Sequence, residues 1–342
     1  MFVIKPNPLK IIDLSNEDQE TAEELVQAAA TQGFLFIEGH NFTQAEVDQL
    51  FQISREFFHL PHDYKRQYAI DETNHGYADF GGETLDPIHQ KKGDPKEALN
   101  ISGLDFTTGK STKPIPDWFT QDPKREALIN ETIIKLYQLS IKILRFIARG
   151  FKIEDIGDLK GEDWFGTKCA PEKPSGSTFR LLHYPGQKSL DPDTTIRAGA
   201  HTDYGSITLL FQKPHEEGLE IYSPVTKHWE AVPFVPGSNK FQGMAPPIVV
   251  NIGDLLSYWT SGYLKSTLHR VKFPIPVRET GHDRYSIAFF SHPNDDALLE
   301  PVPSELVKNI KREGVRENDD ECISAAEHLK RRLAATYGWK SE

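Results

Sequence analysis

Six short runs between residues 179 and 291 decide the fold of this chain: FRLLHY (179–184), SITLLF (206–211), LEIYS (219–223), PIVVNI (247–252), STLHRVKF (266–273) and YSIAFFS (285–291). The runs are rich in β-branched and aromatic residues, and turns that contain glycine or proline separate them. Short strands at this regular spacing are typical of an antiparallel sandwich or barrel. We therefore predict a mainly β region from Phe179 onward.

The remaining segments indicate helices that flank this region. The predicted elements are a strand at 10–14, a helix from Asn16 to Thr31 with Ser15 or Asn16 as its cap and Gly33 at its end, a strand at 34–37, a helix from Gln44 to Phe58 capped by Thr43, a long helix from Asp122 to Gly150 and a final helix from Asp319 to Tyr337. Residues 71–120 predict long loops. The expected class is α+β, mainly β with flanking helices: residues 1–120 form an N-terminal helical and strand region, and residues 121–342 carry the β region within one integrated domain.

Charge and cysteine content exclude several classes of protein. A net charge of −11 argues against nucleic acid as a partner, because phosphate backbones bind clustered Lys and Arg. Cys169 and Cys322 make neither a disulfide framework nor a cysteine-rich zinc site, so both are expected to be reduced. The N-terminus has no signal-peptide pattern, and no apolar run has the length of a membrane span. These features predict a cytoplasmic protein, expected to be a monomer, with no membrane partner.

His201 and Asp203, in IRAGAHTDYGSITLLF (196–211), predict a metal site. Alternate residues of a strand point the same way, so these two side chains share a face. The His-x-acidic spacing alone decides nothing, because 13 histidines and 50 acidic residues produce it about twice by chance. It also occurs at His215 and His228, but both stand in charged, turn-like segments where solvent exposure is expected.

A third ligand is expected from a distant strand. His269, in KSTLHRVKF, stands 68 residues after His201, which leaves room for several intervening strands. His183, in RLLHYP, is the alternative, although a supporting or core role is expected for it. Two histidines and one carboxylate with open positions opposite them form the facial triad that suits Fe(II).

Arg284 and Ser286 open the last strand and form the only Arg-x-Ser of the chain. They share one face, where a guanidinium fork and a hydroxyl can hold a carboxylate. Arg278 and Thr280 offer a near match. Taken alone, Arg284 could be an ordinary surface arginine beside a strand hydroxyl, but together with the histidines the pair favours a carboxylate clamp.

Four motifs stand in this order: GAHTDYGSITLLFQ (199–212), GLEIYSPVTKHWEAVP (218–233), VVNIGDLLSYWTSGYLKSTLHRV (249–271) and RYSIAFF (284–290). In this combination the chain resembles the 2-oxoglutarate/iron(II)-dependent dioxygenases of the isopenicillin N synthase-like group. The opening IIDLS…GFLFIEGH…FFHLPHDYKRQY is similar to the N-terminal region of that family, so the resemblance covers nearly the whole chain.

The resemblance implies a double-stranded β-helix (jelly roll) and the oxidation of a small organic molecule by O₂ with Fe(II) and 2-oxoglutarate. The outcome is hydroxylation, desaturation or cyclisation, with 2-oxoglutarate converted to succinate and ascorbate as an optional reductant. The family's iron ligands fall on His201, Asp203 and His269, and its 2-oxoglutarate contacts fall on Arg284, Ser286 and Tyr184. The chain departs from many plant members at residue 182, where Leu stands in place of Asn.

Three alternatives remain open from the sequence. They are an iron oxidase of the same family that does not use 2-oxoglutarate, a non-catalytic jelly-roll binding protein and a zinc hydrolase. Candidates for the substrate pocket are Tyr77, Phe80, Asn100, Phe106 and Phe290, although a core position is the stronger alternative for the aromatic residues. The identity of the substrate does not follow from these residues.

Overall fold

The computed structural model describes residues 7–186, 196–273, 281–308, 310 and 322–337, and for residues 335–337 it describes the backbone only. Its strands are β1 (Ile11–Asp13), β2 (Phe34–Glu38), β3 (Gly76–Ala78), β4 (Glu97–Ile101), β5 (Leu104–Asp105), β6 (Lys110–Ser111), β7 (Thr178–Tyr184), β8 (Ile196–His201), β9 (Ile207–Phe211), β10 (Leu219–Tyr222), β11 (Trp229–Ala231), β12 (Ile248–Ile252), β13 (His269–Lys272) and β14 (Arg284–Ser291).

These strands form two principal sheets. The large sheet has the order β1-β2-β12-β9-β14-β7-β4-β3, and the small sheet has the order β11-β10-β13-β8. Every pair of neighbouring strands in the two sheets is antiparallel except β1 and β2, which are parallel. The predicted antiparallel β architecture with flanking helices is confirmed.

The helices are α1 (Gln19–Thr31), α2 (Gln44–Phe58), α3 (His62–Arg66), α4 (Asp117–Thr120), α5 (Pro123–Gly150), α6 (Asp254–Trp259), α7 (Glu305–Lys308) and α8 (Ala325–Tyr337). Helices α2 and α5 pack on β7, β9 and β14 of the large sheet, and α1 packs on α5. The stripe of α5 that includes Leu136, Ile143 and Ile147 is fully buried in this layer. The helical layer therefore covers one face of the large sheet and leaves the other face for the small sheet. None of the described helices combines the length and the apolar character that crossing a membrane requires.

Most of the predicted elements are confirmed, and two predictions were wrong. Helix α1 begins at Gln19 because Asp18 caps it by accepting the backbone N–H of Thr21 at 2.8 Å, whereas Ser15 bonds back to Asp13. Residues 71–120 are not only loops, since β3 and β4 extend the large sheet and every residue of β4 is buried. The start predicted for the last helix, Asp319, lies outside the described residues.

Gly33, between α1 and β2, supports the segment that leads to β13. Its φ is +68°, and a Cβ atom there would lie 2.1 Å from the Lys265 carbonyl oxygen and 2.4 Å from the Thr267 hydroxyl. That hydroxyl donates to the Gln32 carbonyl at 2.7 Å. Only glycine allows both this backbone conformation and this close approach.

We expect Gly33→Ala to lower the free energy of unfolding by roughly 2–5 kcal/mol, because left-handed strain and overpacking add. Gly157→Ala is the matched control. Its φ is +61° but a Cβ atom would meet no atom within 4 Å, so only the strain of roughly 1–2 kcal/mol should be seen. Chemical denaturation of both variants measures the difference, and equal losses would show that the Lys265 contact contributes nothing.

Candidate active site

Three side chains with metal-binding atoms converge between the two sheets. Residue His269 pairs with His201 across the ladder of β13 and β8, and Asp203 follows two residues after His201. The Asp203 Oδ1 atom lies 3.8 Å from His201 Nε2 and 3.6 Å from His269 Nε2. Their ligand atoms all lie within 4.8 Å of one another, the one such group among the described residues. The structure thus brings together the three residues that the sequence singled out.

The hydrogen bonds of the two imidazoles leave one free ligand atom on each. His201 Nδ1 lies 2.7 Å from the Gly199 carbonyl and His269 Nδ1 lies 3.0 Å from the Thr267 carbonyl. Since a carbonyl can only accept, each Nδ1 carries a proton, and each Nε2 faces Asp203 Oδ1. This tautomer and the orientation that it fixes are those of a histidine that binds a metal.

Asp203 is held in the same way by its second oxygen. The Thr208 hydroxyl and the Asn251 side-chain amide both donate to Oδ2, each at 2.7 Å, which leaves Oδ1 facing the imidazoles. Burial opposes ionisation of Asp203, but His269, His201 and these two donors keep its pKa below the ordinary value. Sequence analysis missed Thr208 and Asn251, although Asn251 stands out as a polar residue in the buried strand PIVVNI.

The imidazole of His201 is neutral over the ordinary pH range. Burial and the neighbouring His269 lower its pKa to about 4, against the opposing effect of Asp203. A neutral imidazole is the form that binds metal ions. Two imidazoles and one carboxylate that converge in this way fit a divalent iron ion.

A small cavity of about 70 Å³, called here the inner cavity, lies against these three residues. Its wall also includes Tyr184, Arg284, Ser286 and Phe290. This volume exceeds several-fold the ~10–15 Å³ that one water molecule needs. The predicted metal ligands and the predicted cosubstrate contacts therefore face one shared space.

Arg284 is the notable charge in this wall. Its side chain is 1% exposed, and its Nε donates to the Glu216 carbonyl at 2.9 Å while one Nη donates to the Ser286 hydroxyl at 3.3 Å. Among the described residues, no carboxylate lies within ion-pair distance of this guanidinium, whereas Lys96 in the same wall pairs with Asp94 at 2.9 Å and Glu83 at 3.1 Å. Because buried charges are normally paired, Arg284 leaves a place for an anion.

Tyr184 lies beside this guanidinium. It pairs with Arg284 across the ladder of β7 and β14, and the guanidinium carbon lies 4.9 Å from the centre of its ring. His183, the alternative third ligand, points to the opposite face of β7, where its Nδ1 lies 2.7 Å from Glu97 Oε1 and its ring stacks on Tyr285. The near match at Arg278 and Thr280 lies outside the described residues.

A larger cavity of about 630 Å³, called here the outer cavity, also lies against His201 and Asp203. Arg180, His201, Asp203 and Phe290 line both cavities, so they mark the junction between them. Arg180 donates to the carboxylate of Glu83. The volume of the outer cavity is in the range of sites that bind small molecules.

The predicted pocket residues have different positions. Phe290 lines both cavities, whereas Tyr77 is buried in the core and donates its hydroxyl to Glu97. Asn100 is buried and donates to the Asn74 side chain at 2.9 Å, and Phe106 stacks on Tyr137 in the core. Phe80 is 48% exposed at the surface. Of these five residues only Phe290 lines the inner or the outer cavity, because Tyr77, Asn100 and Phe106 lie in sheet and core and Phe80 lies at the surface.

His292 is a cavity residue that sequence analysis missed. It follows β14 on the face shared by Arg284, Ser286 and Phe290, so strand alternation could have found it. It lines the outer cavity, and burial and the nearby His328 lower its pKa to about 4. His328, on α8, is also buried, and burial with Arg332 and Arg331 lowers its pKa to about 4. Both rings are therefore neutral in the folded protein near pH 7.

These two histidines predict a loss of stability in acid. Between about pH 6.5 and 4 the unfolded chain binds protons that the folded chain does not, so the free energy of unfolding falls as pH falls. For His328 alone the loss between about pH 7.5 and 5 amounts to about 2 kcal/mol. We expect His328→Leu to reduce the measured difference in unfolding free energy between these two pH values by about that amount. An unchanged difference would show that the folded protein protonates His328 as readily as the unfolded chain does.

Comparison with known proteins agrees with this geometry. The model of the 2OG-Fe(II) oxygenase superfamily matches residues 175–293, and that of the non-haem dioxygenase in morphine synthesis N-terminal region matches residues 9–121. The chain is 32% identical to UPF0676 protein C1494.01 of Schizosaccharomyces pombe, covering 96% of this chain and 93% of that protein. It is 30% identical to proline hydroxylase buaE of Petromyces alliaceus, covering 96% and 98%.

Solved structures show the same relationship. A full-length Neurospora crassa protein in complex with alpha-KG has a TM-score of 0.76 and 31% identity, covering 96% of each chain. The complex of that protein with alpha-KG and thymine has a TM-score of 0.74 and 28% identity, covering 98% of this chain and 99% of that one. Two facing antiparallel sheets with a metal-binding triad between them define a double-stranded β-helix oxygenase, and the chain belongs to the 2OG-Fe(II) oxygenase superfamily. It is an oxidoreductase that uses Fe(II), 2-oxoglutarate and O₂ to oxidise a small organic molecule, with 2-oxoglutarate converted to succinate.

Proposed function

We propose that His201, Asp203 and His269 hold the ferrous ion, that Arg284, Ser286 and Tyr184 bind 2-oxoglutarate in the inner cavity, and that the outer cavity receives the substrate. The observation that carries this proposal is the shared wall of the inner cavity, where three free ligand atoms and a buried guanidinium without a described carboxylate partner face one space. The bound iron and its cosubstrate supply the oxidising chemistry by the reduction of O₂ coupled to the decarboxylation of 2-oxoglutarate.

Each side chain has a defined part in this arrangement. Thr208 and Asn251 keep Asp203 Oδ1 directed at the metal position. Arg284 can donate two charge-assisted hydrogen bonds to the distal carboxylate of 2-oxoglutarate, which fixes the distance of the oxoacid end from the triad. Tyr184 and Phe290 contribute aromatic rings to the wall of the inner cavity. No side chain is required as a general base.

The junction between the cavities is where the substrate meets the metal position. Phe290 offers an aromatic face there, and Arg180 offers a guanidinium whose charge Glu83 already balances. We propose a small polar molecule, such as a nucleobase or an amino acid, that packs on Phe290. One solved relative is a complex with thymine and another relative is named a proline hydroxylase, so thymine and proline are the first compounds to test.

The test is succinate release by iron-loaded protein under O₂, with thymine, L-proline and further small metabolites added one at a time. We expect iron-dependent conversion of 2-oxoglutarate without added substrate at a low rate, and a higher rate with an accepted compound. The Asp203→Ala variant should lose both rates, and the exposed-site variant His228→Ala should keep both. Protein that binds iron and 2-oxoglutarate but never produces succinate would contradict the proposal.

The finer predictions from the sequence are proposed here as well. Residues 1–120 and 121–342 form one integrated domain, which is supported by β2, β3 and β4 lying in the same sheet as β7, β9 and β14. We further propose that the chain belongs to the isopenicillin N synthase-like subgroup and that it is a monomer in the cytoplasm. We also propose that it has no nucleic-acid or membrane partner. Light scattering of the purified protein tests the monomer directly.

A further inference from the structure

Helix α8 forms one wall of the outer cavity. Ala326, Leu329, Lys330, Leu333 and Ala334 line this cavity. Their spacing of three and four residues places them on one face of the helix. This mainly apolar face is therefore turned toward the cavity.

Ala325 and the ring of His328 pack on the core, and a polar anchor holds α8 further along the helix. Arg332, on another face of the helix, pairs with the Asp254 carboxylate at 2.6 Å and donates to the Thr202 hydroxyl at 3.4 Å. The guanidinium carbon also lies 5.8 Å from the ring of Tyr204. All three contacts lie on α6 or on the turn that contains His201 and Asp203.

Asp254 connects this anchor to the backbone of the metal-binding turn. Its carboxylate accepts the hydroxyls of Thr202 at 3.0 Å and Ser266 at 2.6 Å, and its backbone N–H donates to the Asp203 carbonyl at 2.7 Å. Thr202 points away from the side chains of His201 and Asp203, because it alternates with them along an extended segment. Asp254 therefore connects Arg332 of α8 to Thr202 and to the backbone of Asp203, which belong to the turn that carries His201 and Asp203.

We propose that Arg332 is a positioning residue that holds α8 against the turn of His201 to Asp203, so that the helix completes the substrate cavity beside the metal position. The proposal rests on the proposed function, because it takes the outer cavity as the substrate site. Arg332 touches neither the metal-binding atoms nor a cavity, and its effect passes through the position of Leu329 and Leu333. The side chain of Arg332 is 39% exposed and that of Asp254 is 15% exposed, so the pair is partly screened and the anchor is of moderate strength.

The first test needs no substrate and no iron. Hydrogen–deuterium exchange of residues 325–334 should be roughly three- to fivefold faster in Arg332→Ala than in the unaltered protein. Loss of one partly exposed ion pair raises the population of the locally opened helix by about this factor. Arg332→Lys should restore most of the protection, because it keeps a cation near Asp254. Arg331→Ala is the matched control, since Arg331 is the adjacent arginine and pairs with Glu327 within the same helix.

The second test uses the metal site. Protein loaded with Fe(II) and 2-oxoglutarate without O₂ is mixed with 2,2′-bipyridyl, and the rate of iron capture is followed by absorbance. Arg332→Ala and Asp254→Asn should each speed capture by a similar factor, and the double variant should be no faster than either one because both changes break the same contact.

The outcomes separate the two proposals. Exchange of α8 at the unaltered rate in Arg332→Ala, or an equal effect of Arg331→Ala, would overturn the role of Arg332. If the double variant speeds iron capture by the product of the two single effects, Arg332 and Asp254 act separately, and this would contradict the proposal that they act through one contact. Protein that binds no iron would count against the proposed function alone, because the exchange experiment on α8 still decides the role of Arg332.

Discussion

Replacing His269 by alanine is expected to reduce iron-dependent release of succinate to the level of metal-free protein. The variant would leave one imidazole and one carboxylate on the metal position, and the open space would admit water in place of the third ligand. His201, Asp203 and His269 form the one group of converging metal-binding residues in the part of the chain that the structure describes, and it contains no further histidine. The measurement is succinate formed per protein at saturating Fe(II) and 2-oxoglutarate, together with the iron retained after desalting.

Two further variants make this result specific. Replacement of the alternative histidine, His183→Gln, removes an imidazole of similar burial from the opposite face of β7 and should retain iron. Asp203→Asn keeps an oxygen in place but loses the negative charge, so it should bind iron far more weakly than the unaltered protein. Normal succinate formation by His269→Ala would remove this residue from the metal site and would return His183 to consideration.

Replacing Arg284 by alanine is expected to raise the 2-oxoglutarate concentration that gives half-maximal succinate release on the order of 100-fold, since charge-assisted hydrogen bonds are worth roughly 1.5–3 kcal/mol each. The guanidinium is buried and has no carboxylate partner among the residues described, so the cosubstrate anion is its natural partner. Iron binding should be retained, because Arg284 contacts none of the three metal-binding side chains.

The cosubstrate itself provides the control for this prediction. 2-Oxovalerate has the same oxoacid end as 2-oxoglutarate but lacks the distal carboxylate. The unaltered protein should strongly prefer 2-oxoglutarate, and Arg284→Ala should discriminate little between the two oxoacids. The preference of Arg284→Lys for 2-oxoglutarate should lie between those of the unaltered protein and Arg284→Ala, because an ammonium keeps the charge but not the planar fork. A preference for 2-oxoglutarate that survives in Arg284→Ala would place the clamp elsewhere.

Local patterns predicted much of this site. The alternation of side chains along a strand is enough to place Arg284 and Ser286 on one face, and the same rule extended along that strand would have reached His292. The sequence also predicted α2 with its cap at Thr43, where a capping box joins Thr43 and Glu46, and the long helix α5, which begins one residue after the predicted start at Asp122. These features depend on neighbours within a few residues, which is why a sequence pattern reveals them.

Other predictions failed where long-range pairing overrides local preference. Tyr77 and Asn100 stand in a segment with little periodicity, which the sequence predicted to be a loop, and both were candidates for the substrate pocket, although a core position was the stronger alternative for Tyr77. In the structure β3 pairs with β4, and β4 pairs with β7, so both residues are buried. Strand β4 is stabilised by its pairing with β7, which lies about 80 residues further along the chain. No local pattern in residues 71–120 reveals this pairing.

Patterns in the amino-acid sequence were sufficient for the class of the fold, for the shared face of His201 and Asp203, for that of Arg284 and Ser286 and, through the order of the motifs, for the family. The tertiary structure was needed to show that His269 lies 3.6 Å from Asp203, that Thr208 and Asn251 orient the Asp203 carboxylate, and that Arg332 pairs with Asp254 beside the turn of His201 to Asp203. The physical reason is the range of the interactions. Side-chain direction along a strand is a property of the local backbone, whereas convergence of residues from different elements depends on the register of strands that pair across long separations in the chain.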